Sequence, residues 1–100
     1  MELFNDDNHP LKRLVREYLV YLQFERRLSP NTLNSYWLDL DKYTSYLYYK
    51  NKLTSPEKIN LTHIRGYINQ FSDVVRPKST TLSRILSSVR GFHQFLILKG

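Results

Sequence analysis

Apolar side chains recur at intervals of three and four residues in four separate stretches of the chain, and this spacing limits the fold more than any other feature. Residues spaced in this way share one face of an α-helix. The stretches predict helices from Pro10 to about Leu28, from Pro30 to about Tyr49, from Thr62 to Phe71, and from Ser79 or Thr80 to Lys99. The chain has three glycines and four prolines, too few for the frequent turns of a β-sandwich. We therefore predict an all-α fold, a small bundle of four helices.

Capping residues and connectors set the predicted boundaries. Ser29 followed by Pro30 is typical of an N-cap and the first helical position. Thr62 is the expected cap of the third helix. Residues 50–60 predict a loop, and residues 72–78 predict a connector between the third and fourth helices.

Length and composition predict one compact domain. We expect residues 1–9 to form a flexible tail and residues 10–100 to form the domain, with Gly100 in the position that commonly ends a helix. The chain has no cysteine, which removes disulfides and thiolate chemistry and suits the reducing cytoplasm, where we expect the protein. Apolar runs are far shorter than the ~20 residues that a membrane-spanning helix needs.

The distribution of charge favours a polyanionic partner. Lys and Arg number 15 against nine Asp and Glu, giving a net charge of +6. Every acidic residue precedes Val74, whereas residues 74–100 hold five basic residues and no acid. A positive field of this kind favours nucleic acid first and an anionic membrane surface second.

The predicted fourth helix has two chemically different faces. With about 100° per residue, one face is apolar. Its members are Leu82, Ile85, Leu86, Val89, Phe92 and Leu96. The opposite face carries polar residues of the kinds that contact phosphates and base edges. They are Ser83, Arg84, Ser87, Arg90 and Gln94. Lys78, Ser79 and Thr80 lie at the start of this helix, where unpaired N–H groups attract a phosphate. A merely solvated face is the alternative.

A second polar cluster opens the predicted second helix. Asn31, Thr32 and Ser35 follow the Ser29 cap, and Arg26 and Arg27 precede it. These side chains are candidates for contacts with backbone phosphates, with simple solvation as the alternative.

No residue pattern indicates catalysis, a metal or a cofactor. His9, His63 and His93 are not spaced with one another or with carboxylates as a zinc site requires, and His93 falls on the apolar side of its helix. Asp39 and Asp41 are two residues apart, so they point to different faces of a helix and do not form a paired-carboxylate site. We expect a chain that is not itself an enzyme and that binds no metal or cofactor.

Three segments together resemble the N-terminal core-binding domain of the tyrosine recombinases, in particular the Xer and phage-integrase branch. Residues 21–33 read YLQFERRLSPNTL and residues 35–40 read SYWLDL, which is similar to the family's S-Y-x-x-D-L helix. Residues 84–96 read RILSSVRGFHQFL, which is similar to R-x-L-S-A-x-R-x-F-x-x-F-L. The match extends from about Leu11 to Gly100, nearly the whole chain.

The resemblance implies a four-helix SAM-like domain that grips one face of double-stranded DNA at a recombination half-site. Its second and fourth helices would meet the major groove and the flanking phosphates. It also implies a separate C-terminal catalytic domain, which cleaves and rejoins DNA strands through a phosphotyrosine, and subunit contacts in a tetramer on DNA. Family members often carry basic or polar residues where this chain has Trp37 and Leu38. Leu38 is expected on the outward side of its helix, where it would meet DNA, a neighbouring subunit or the catalytic domain.

Two other functions remain open from the residues. One is a helical protein–protein adaptor with a basic face, for which Tyr21 and Phe24 lie off the apolar stripe of helix one. The other is a helix-turn-helix transcription regulator, which needs a short turn before its recognition helix. The predicted connector over residues 72–78 is long for such a turn.

Overall fold

The computed structural model describes residues 10–99, and this part of the chain consists of four α-helices joined by short connections. They are α1 (Pro10–Phe24), α2 (Pro30–Tyr49), α3 (Leu61–Val75) and α4 (Ser79–Lys99), with one 3₁₀ turn at Pro56–Lys58. No strand occurs in residues 10–99. The predicted all-α fold with four helices is confirmed, whereas the predictions for residues 1–9 and Gly100 lie outside the described residues.

Capping groups explain where α2 and α3 begin. Ser29 caps α2 as predicted, because its Oγ accepts a hydrogen bond from the Thr32 N–H at 3.2 Å. The prediction of Thr62 as the cap of α3 is wrong. Asn60 takes that position and accepts from the His63 N–H at 3.2 Å, while His63 Nδ1 accepts from the Asn60 N–H at 3.1 Å. This reciprocal pair satisfies two backbone donors, so the helix begins at Leu61, one residue before the predicted start at Thr62.

The connector between α3 and α4 is shorter than predicted. Helix α3 continues to Val75, so only residues 76–78 separate it from α4. Arg76 adopts a left-handed conformation with φ 54°, and its N–H donates to the Ser72 carbonyl at 3.0 Å. One left-handed residue followed by Pro77 therefore ends α3 without the longer loop that residues 72–78 suggested.

Helices α1 and α2 are also followed by a residue with a left-handed backbone conformation, here three residues beyond the last helical residue. The Leu28 N–H donates to the Leu22 carbonyl at 3.2 Å, and the Leu53 N–H donates to the Leu47 carbonyl at 3.0 Å. In each case the preceding basic residue has a positive φ, 55° at Arg27 and 59° at Lys52. The leucine that follows packs back against the core. Helix α1 consequently stops at Phe24, before Leu28.

Helix α2 lies at the centre of the bundle and packs against each of the other three helices. Its buried side chains meet apolar faces of α1 and α4. The largest fully buried residues include Trp37, Tyr43, Phe92, Leu11, Leu40 and Leu47. Of the predicted apolar face of α4, Ile85, Val89 and Phe92 are buried in this core and Leu96 packs against it. Leu82 is half-buried, and Leu86 is 40% exposed because it lies at the edge of the face. In α3 the buried residue is Tyr67, with the predicted Ile64, Ile68 and Phe71 half-buried around it.

A buried lysine joins α1 to α2. Lys12 is 5% exposed, and its Nζ pairs with the Asp41 carboxylate. The same nitrogen donates to the Asp41 carbonyl at 2.9 Å and to Ser45 Oγ at 3.0 Å. Because Lys12 is buried while the Asp41 side chain is 30% exposed, removing Asp41 would leave a buried cation without its charged partner. The sequence pattern did not identify this interaction.

A close approach of backbone to side chain joins α1 to α4. The Tyr18 hydroxyl lies against Gly91, where an added Cβ would collide with it. The Tyr18 ring also packs on Phe95 with centroids 5.4 Å apart, and Tyr21 packs on the same ring at 5.3 Å. Gly91 therefore sets how closely the two helices can approach.

None of the helices in residues 10–99 is long and apolar enough to cross a membrane.

We expect Gly91→Ala to lower the free energy of unfolding by about 1–3 kcal/mol, because the new methyl group overpacks the site. Elsewhere in a helix the same change stabilises by up to about 1 kcal/mol. Chemical denaturation measures the difference. In a Tyr18→Phe background, which lacks the colliding oxygen, the cost of Gly91→Ala should shrink. An equal cost in both backgrounds would contradict this explanation.

Burial lowers the pKa of His93, whose Nε2 lies 2.7 Å from the Tyr43 hydroxyl. In the unfolded chain the imidazole regains its ordinary pKa of about 6.5 and binds a proton more readily. Stability from this group is therefore present above pH 6.5 and is lost as the pH falls through the lowered pKa of the folded state. We expect the free energy of unfolding to drop between pH 7 and pH 5, and to drop less in His93→Gln. Parallel pH profiles for the two proteins would refute this assignment.

Candidate nucleic-acid interface

One face of α4 presents a continuous polar stripe to solvent. Ser83, Ser87, Arg90 and Gln94 are all exposed, and their spacing of four, three and four residues keeps them on one side of the helix. We call these four residues the α4 stripe. The opposite side of the helix holds its buried residues, Ile85, Ser88, Val89 and Phe92. The two-faced helix read from the sequence is thus present, and its contact with DNA stays a prediction.

The start of α4 adds three more of the predicted residues. Lys78, Ser79 and Thr80 are exposed, and the Lys78 carbonyl accepts the first hydrogen bond of the helix from the Leu82 N–H at 3.0 Å. The N–H groups of a first helical turn have no partners within the helix. Lysine, two hydroxyls and free backbone donors therefore lie together at one end of the α4 stripe.

Arg84 is exposed on α4 but is held by a carboxylate of α2. Its Nε donates to Asp39 Oδ2 at 2.9 Å, and its Nη2 donates to Asp39 Oδ1 at 2.9 Å. The Asp39 side chain is 6% exposed, while that of Arg84 is 43% exposed. The hydrogen bonds to Asp39 raise the pKa of the Arg84 guanidinium, so it remains charged. Two parallel bonds of this kind fix the plane of the guanidinium as well as its position.

Sequence reasoning missed Asp39 as part of the site. From the sequence, Asp39 and Asp41 were considered only as a paired-carboxylate site, and such a site was excluded. The two side chains do point apart, because Asp41 pairs with Lys12 and Asp39 pairs with Arg84. Both residues lie in the quoted motifs, since Asp39 is the acidic residue of S-Y-x-x-D-L and Arg84 is the first arginine of R-x-L-S-A-x-R-x-F-x-x-F-L.

The α2 residues predicted to contact DNA lie along the same helix side as Asp39. Ser35 precedes Asp39 by four residues and Asn31 precedes Ser35 by four, so the three align along α2. Asn31 is exposed, while Ser35 and Thr32 are half-buried. Thr32 is also tied into the cap, since the Ser29 hydroxyl donates to its Oγ1 at 3.0 Å. The structure thus links the α2 and α4 candidates through the Asp39–Arg84 pair.

Trp37 and Leu38, the two residues that depart from the family pattern, differ in their exposure to solvent. Trp37 is 1% exposed and belongs to the core. Leu38 is 43% exposed, on the outward side of α2 as expected. Only Leu38 of the two is therefore accessible to a partner.

Uncompensated positive charge remains at the α4 surface. Within residues 10–99, Asp39 and Asp41 are matched by internal cations, and no acidic side chain pairs with Arg90 or Lys78. The remaining ion pair joins Lys99 to Glu17 at 3.0 Å. The acidic residues that the structure describes therefore leave the positive charges of Arg90 and Lys78 without an ion-pair partner.

The titratable side chains of the core are engaged in packing. His93 is packed against Tyr43 as the apolar position predicted, and His63 serves the α3 cap, whereas His9 lies outside the described residues. Burial raises the pKa of Tyr18 to about 12, and burial together with Asp39 raises that of Tyr67 to about 12. These phenols stay protonated at neutral pH. Within residues 10–99 no three side chains of the metal-binding types lie close enough to hold an ion.

Comparison with known proteins identifies the domain. Residues 15–100 match the family model described as "Phage integrase, N-terminal SAM-like domain". The chain is 42% identical over 88 residues to a tyrosine recombinase XerD of Oceanobacillus iheyensis, covering 87% of this chain and 29% of that protein. It is 34% identical over 87 residues to a tyrosine recombinase XerD of Staphylococcus epidermidis, covering 87% and 29%.

A third relative carries a different name. The chain is 35% identical over 83 residues to a tyrosine recombinase XerC of Pseudomonas syringae pv. tomato, covering 83% of this chain and 27% of that protein. The chain thus spans less than a third of the length of these relatives. No solved structure matches it. The chain belongs to the family of phage integrase N-terminal SAM-like domains.

Proposed function

We propose that this chain is the DNA-binding module of a site-specific tyrosine recombinase. It grips one face of the duplex at a recombination half-site, and α2 and α4 face the DNA. Strand cleavage and rejoining through a phosphotyrosine belong to a C-terminal catalytic domain of the longer protein, so this chain is not itself catalytic. The names of its relatives support the recombinase role. A protein that acts on bacterial DNA works in the cytoplasm, and we place it there.

The α4 stripe is the observation that carries the proposal. A helix about 10–12 Å wide fits the major groove of B-DNA. The stripe offers hydroxyl, amide and guanidinium groups along one side of such a helix, and the two serines leave room for the backbone to approach the base pairs. Arg90 brings a positive charge that no acidic side chain within residues 10–99 neutralises.

The start of α4 and the start of α2 are proposed to hold the phosphates that flank the groove. Lys78, Ser79 and Thr80 would contact one strand, and Asn31, Thr32 and Ser35 would contact the backbone near α2. Contacts of this kind fix the register of a protein on DNA without reading its sequence. Since few phosphates are engaged by one module, its binding should be weak and strongly dependent on salt.

Apolar residues away from the α4 stripe are proposed to contact other parts of the recombinase. Phe24 is 69% exposed at the end of α1, and Ile97 and Leu98 are exposed at the end of α4. Exposed apolar groups often mark protein contacts. The parent's own catalytic domain and the neighbouring subunits of a tetramer on DNA are the partners that fit the proposed role.

Phe24 also supports the second candidate, a protein–protein adaptor with a basic face. The other residue cited for it, Tyr21, packs on Phe95 and is half-buried, which weakens this alternative. The third candidate was a helix-turn-helix regulator, and the predicted long connector counted against it. That prediction is wrong, because only residues 76–78 separate α3 from α4. The packing is nevertheless unlike that motif, since α3 packs on α2 and makes few contacts with α4.

We expect Arg90→Ala to weaken binding of half-site duplex DNA by roughly 5- to 150-fold, the range that follows from about 1–3 kcal/mol for a base-contacting arginine. Fluorescence anisotropy with labelled duplex at two salt concentrations measures the change. Arg13→Ala is the matched control, because Arg13 is exposed on α1, outside the proposed surface, and its loss removes the same charge. Equal losses for the two variants, with unchanged thermal unfolding, would remove α4 from the interface.

A further inference from the structure

Among residues 10–99, one hydrogen-bonding edge of Arg84 has no partner, although Asp39 holds the other. A guanidinium has five N–H donors in a planar fork. Asp39 occupies the side edge, formed by Nε and one N–H of Nη2. The end edge, formed by Nη1 and the second N–H of Nη2, is the one that remains. It presents two parallel donors, which suit two acceptors on a single group.

The fixed orientation of this edge favours recognition. An arginine side chain loses substantial rotamer entropy when a ligand immobilises it. The two 2.9 Å bonds to a buried carboxylate remove most of that freedom before any ligand arrives. The Arg84 side chain is still 43% exposed, although Asp39 holds it.

The net charge of the Asp39–Arg84 pair makes a DNA base a better ligand for Arg84 than a phosphate. Asp39 offsets the positive charge of Arg84, so the pair exerts little net attraction on a phosphate. A guanine base presents two neutral acceptors, O6 and N7, at the spacing of a bidentate arginine contact. Hydrogen bonds to neutral acceptors depend on donor geometry more than on net charge. The paired arginine is therefore better suited to a guanine than to the DNA backbone.

We propose that Arg84 reads a guanine in the major groove and that Asp39 is a positioning residue that holds its guanidinium for that contact. The inference rests on the proposed DNA-binding function and assigns different roles in it to Arg84 and Lys78. Arg84, whose charge is compensated, confers sequence preference, while Lys78, which has no acidic partner in residues 10–99, contributes attraction to the phosphates.

A selection experiment tests the proposal. The 100-residue chain and its variants Arg84→Ala, Arg84→Lys, Asp39→Asn and Lys78→Ala are incubated at low salt with a pool of duplexes containing a randomised region, and the bound DNA is sequenced. The wild-type chain should enrich a site with guanine at one position. Arg84→Ala and Arg84→Lys should lose the preference at that position by roughly 5- to 150-fold while keeping preferences elsewhere. Lys78→Ala should bind all sequences more weakly with the preference intact.

Asp39→Asn tests the positioning role. It keeps the shape of the side chain and removes the charge, so it should bind unselected duplex more tightly than wild type and yet discriminate less at the guanine position. A merely structural role for Asp39 would lower the melting temperature and leave the base preference unchanged. Arg84→Lys keeps a cation beside Asp39, so it tests the reading role if Asp39→Asn fails to fold. Replacing the selected guanine by 7-deazaguanine, which lacks the N7 acceptor, should weaken wild type and leave Arg84→Ala unaffected.

The outcomes separate this inference from the proposed function. Wild-type binding with an unchanged guanine preference in Arg84→Ala, or with no sequence preference at all, overturns the reading role alone. A uniform loss of affinity in Arg84→Ala, with the salt dependence reduced by about one counterion, would make Arg84 a phosphate contact and overturn it too. Preference retained by a folded Asp39→Asn overturns the role of Asp39. If the wild-type chain binds no duplex, the proposed function fails together with the inference.

Discussion

Two carboxylates of α2, Asp39 and Asp41, connect the central helix to its neighbours because they point to different sides of it. Asp41 pairs with the buried Lys12 of α1, and Asp39 pairs with Arg84 of α4. In each pair one side chain is almost completely buried, Lys12 in the first and Asp39 in the second, so losing its partner leaves that charge in a poorly solvated position. Apolar packing alone allows two helices to slide or rotate slightly, whereas paired charges fix one arrangement. The Asp39–Arg84 pair therefore adds a directional contact between α2 and α4 to the apolar packing of the core.

The same pairing determines the electrostatics of the surface that we propose for DNA. Both acids of α2 are compensated inside the domain, and no acidic residue follows Asp73 in the sequence. The outward side of α4 is consequently polar and positive without carboxylates that would repel phosphates. A tight approach of α1, made possible by Gly91, supports the other side of the helix. The stripe thus lies on a helix held from two directions, which suits a surface that must match the shape of a groove.

The sequence predicted those features that depend on periodicity and local capping. The four helices, the buried side of α4 and the packed His93 follow from the spacing of apolar residues, and the Ser29 cap follows from the Ser29-Pro30 pair. The Asn60 cap of α3 was missed because it depends on a reciprocal bond with His63, and Thr62 offered an equally plausible hydroxyl. The end of α3 was missed because a left-handed Arg76 has no signal comparable to a glycine. Tertiary pairs such as Lys12–Asp41 and Asp39–Arg84 join residues 29 and 45 positions apart, so no local pattern reveals them.

Some features of the candidate site could likewise be predicted from the sequence, and others could not. The exposed face of α4 was predictable residue by residue, since 100° steps sort its side chains. The engagement of Arg84 by a buried carboxylate was not, because exposure and pairing are properties of the packed bundle. The outward position of Leu38 on α2 was predicted from the same helical periodicity.

An NMR titration of the isotope-labelled chain with duplex DNA tests the central claim most directly. The account predicts that the backbone amides of Ser83, Ser87, Arg90 and Gln94 shift on addition of duplex, while the Arg84 Nε–H signal persists because its bond to Asp39 is retained in the complex. Shifts confined to α1 and α3, with the α4 stripe unmoved, would contradict it.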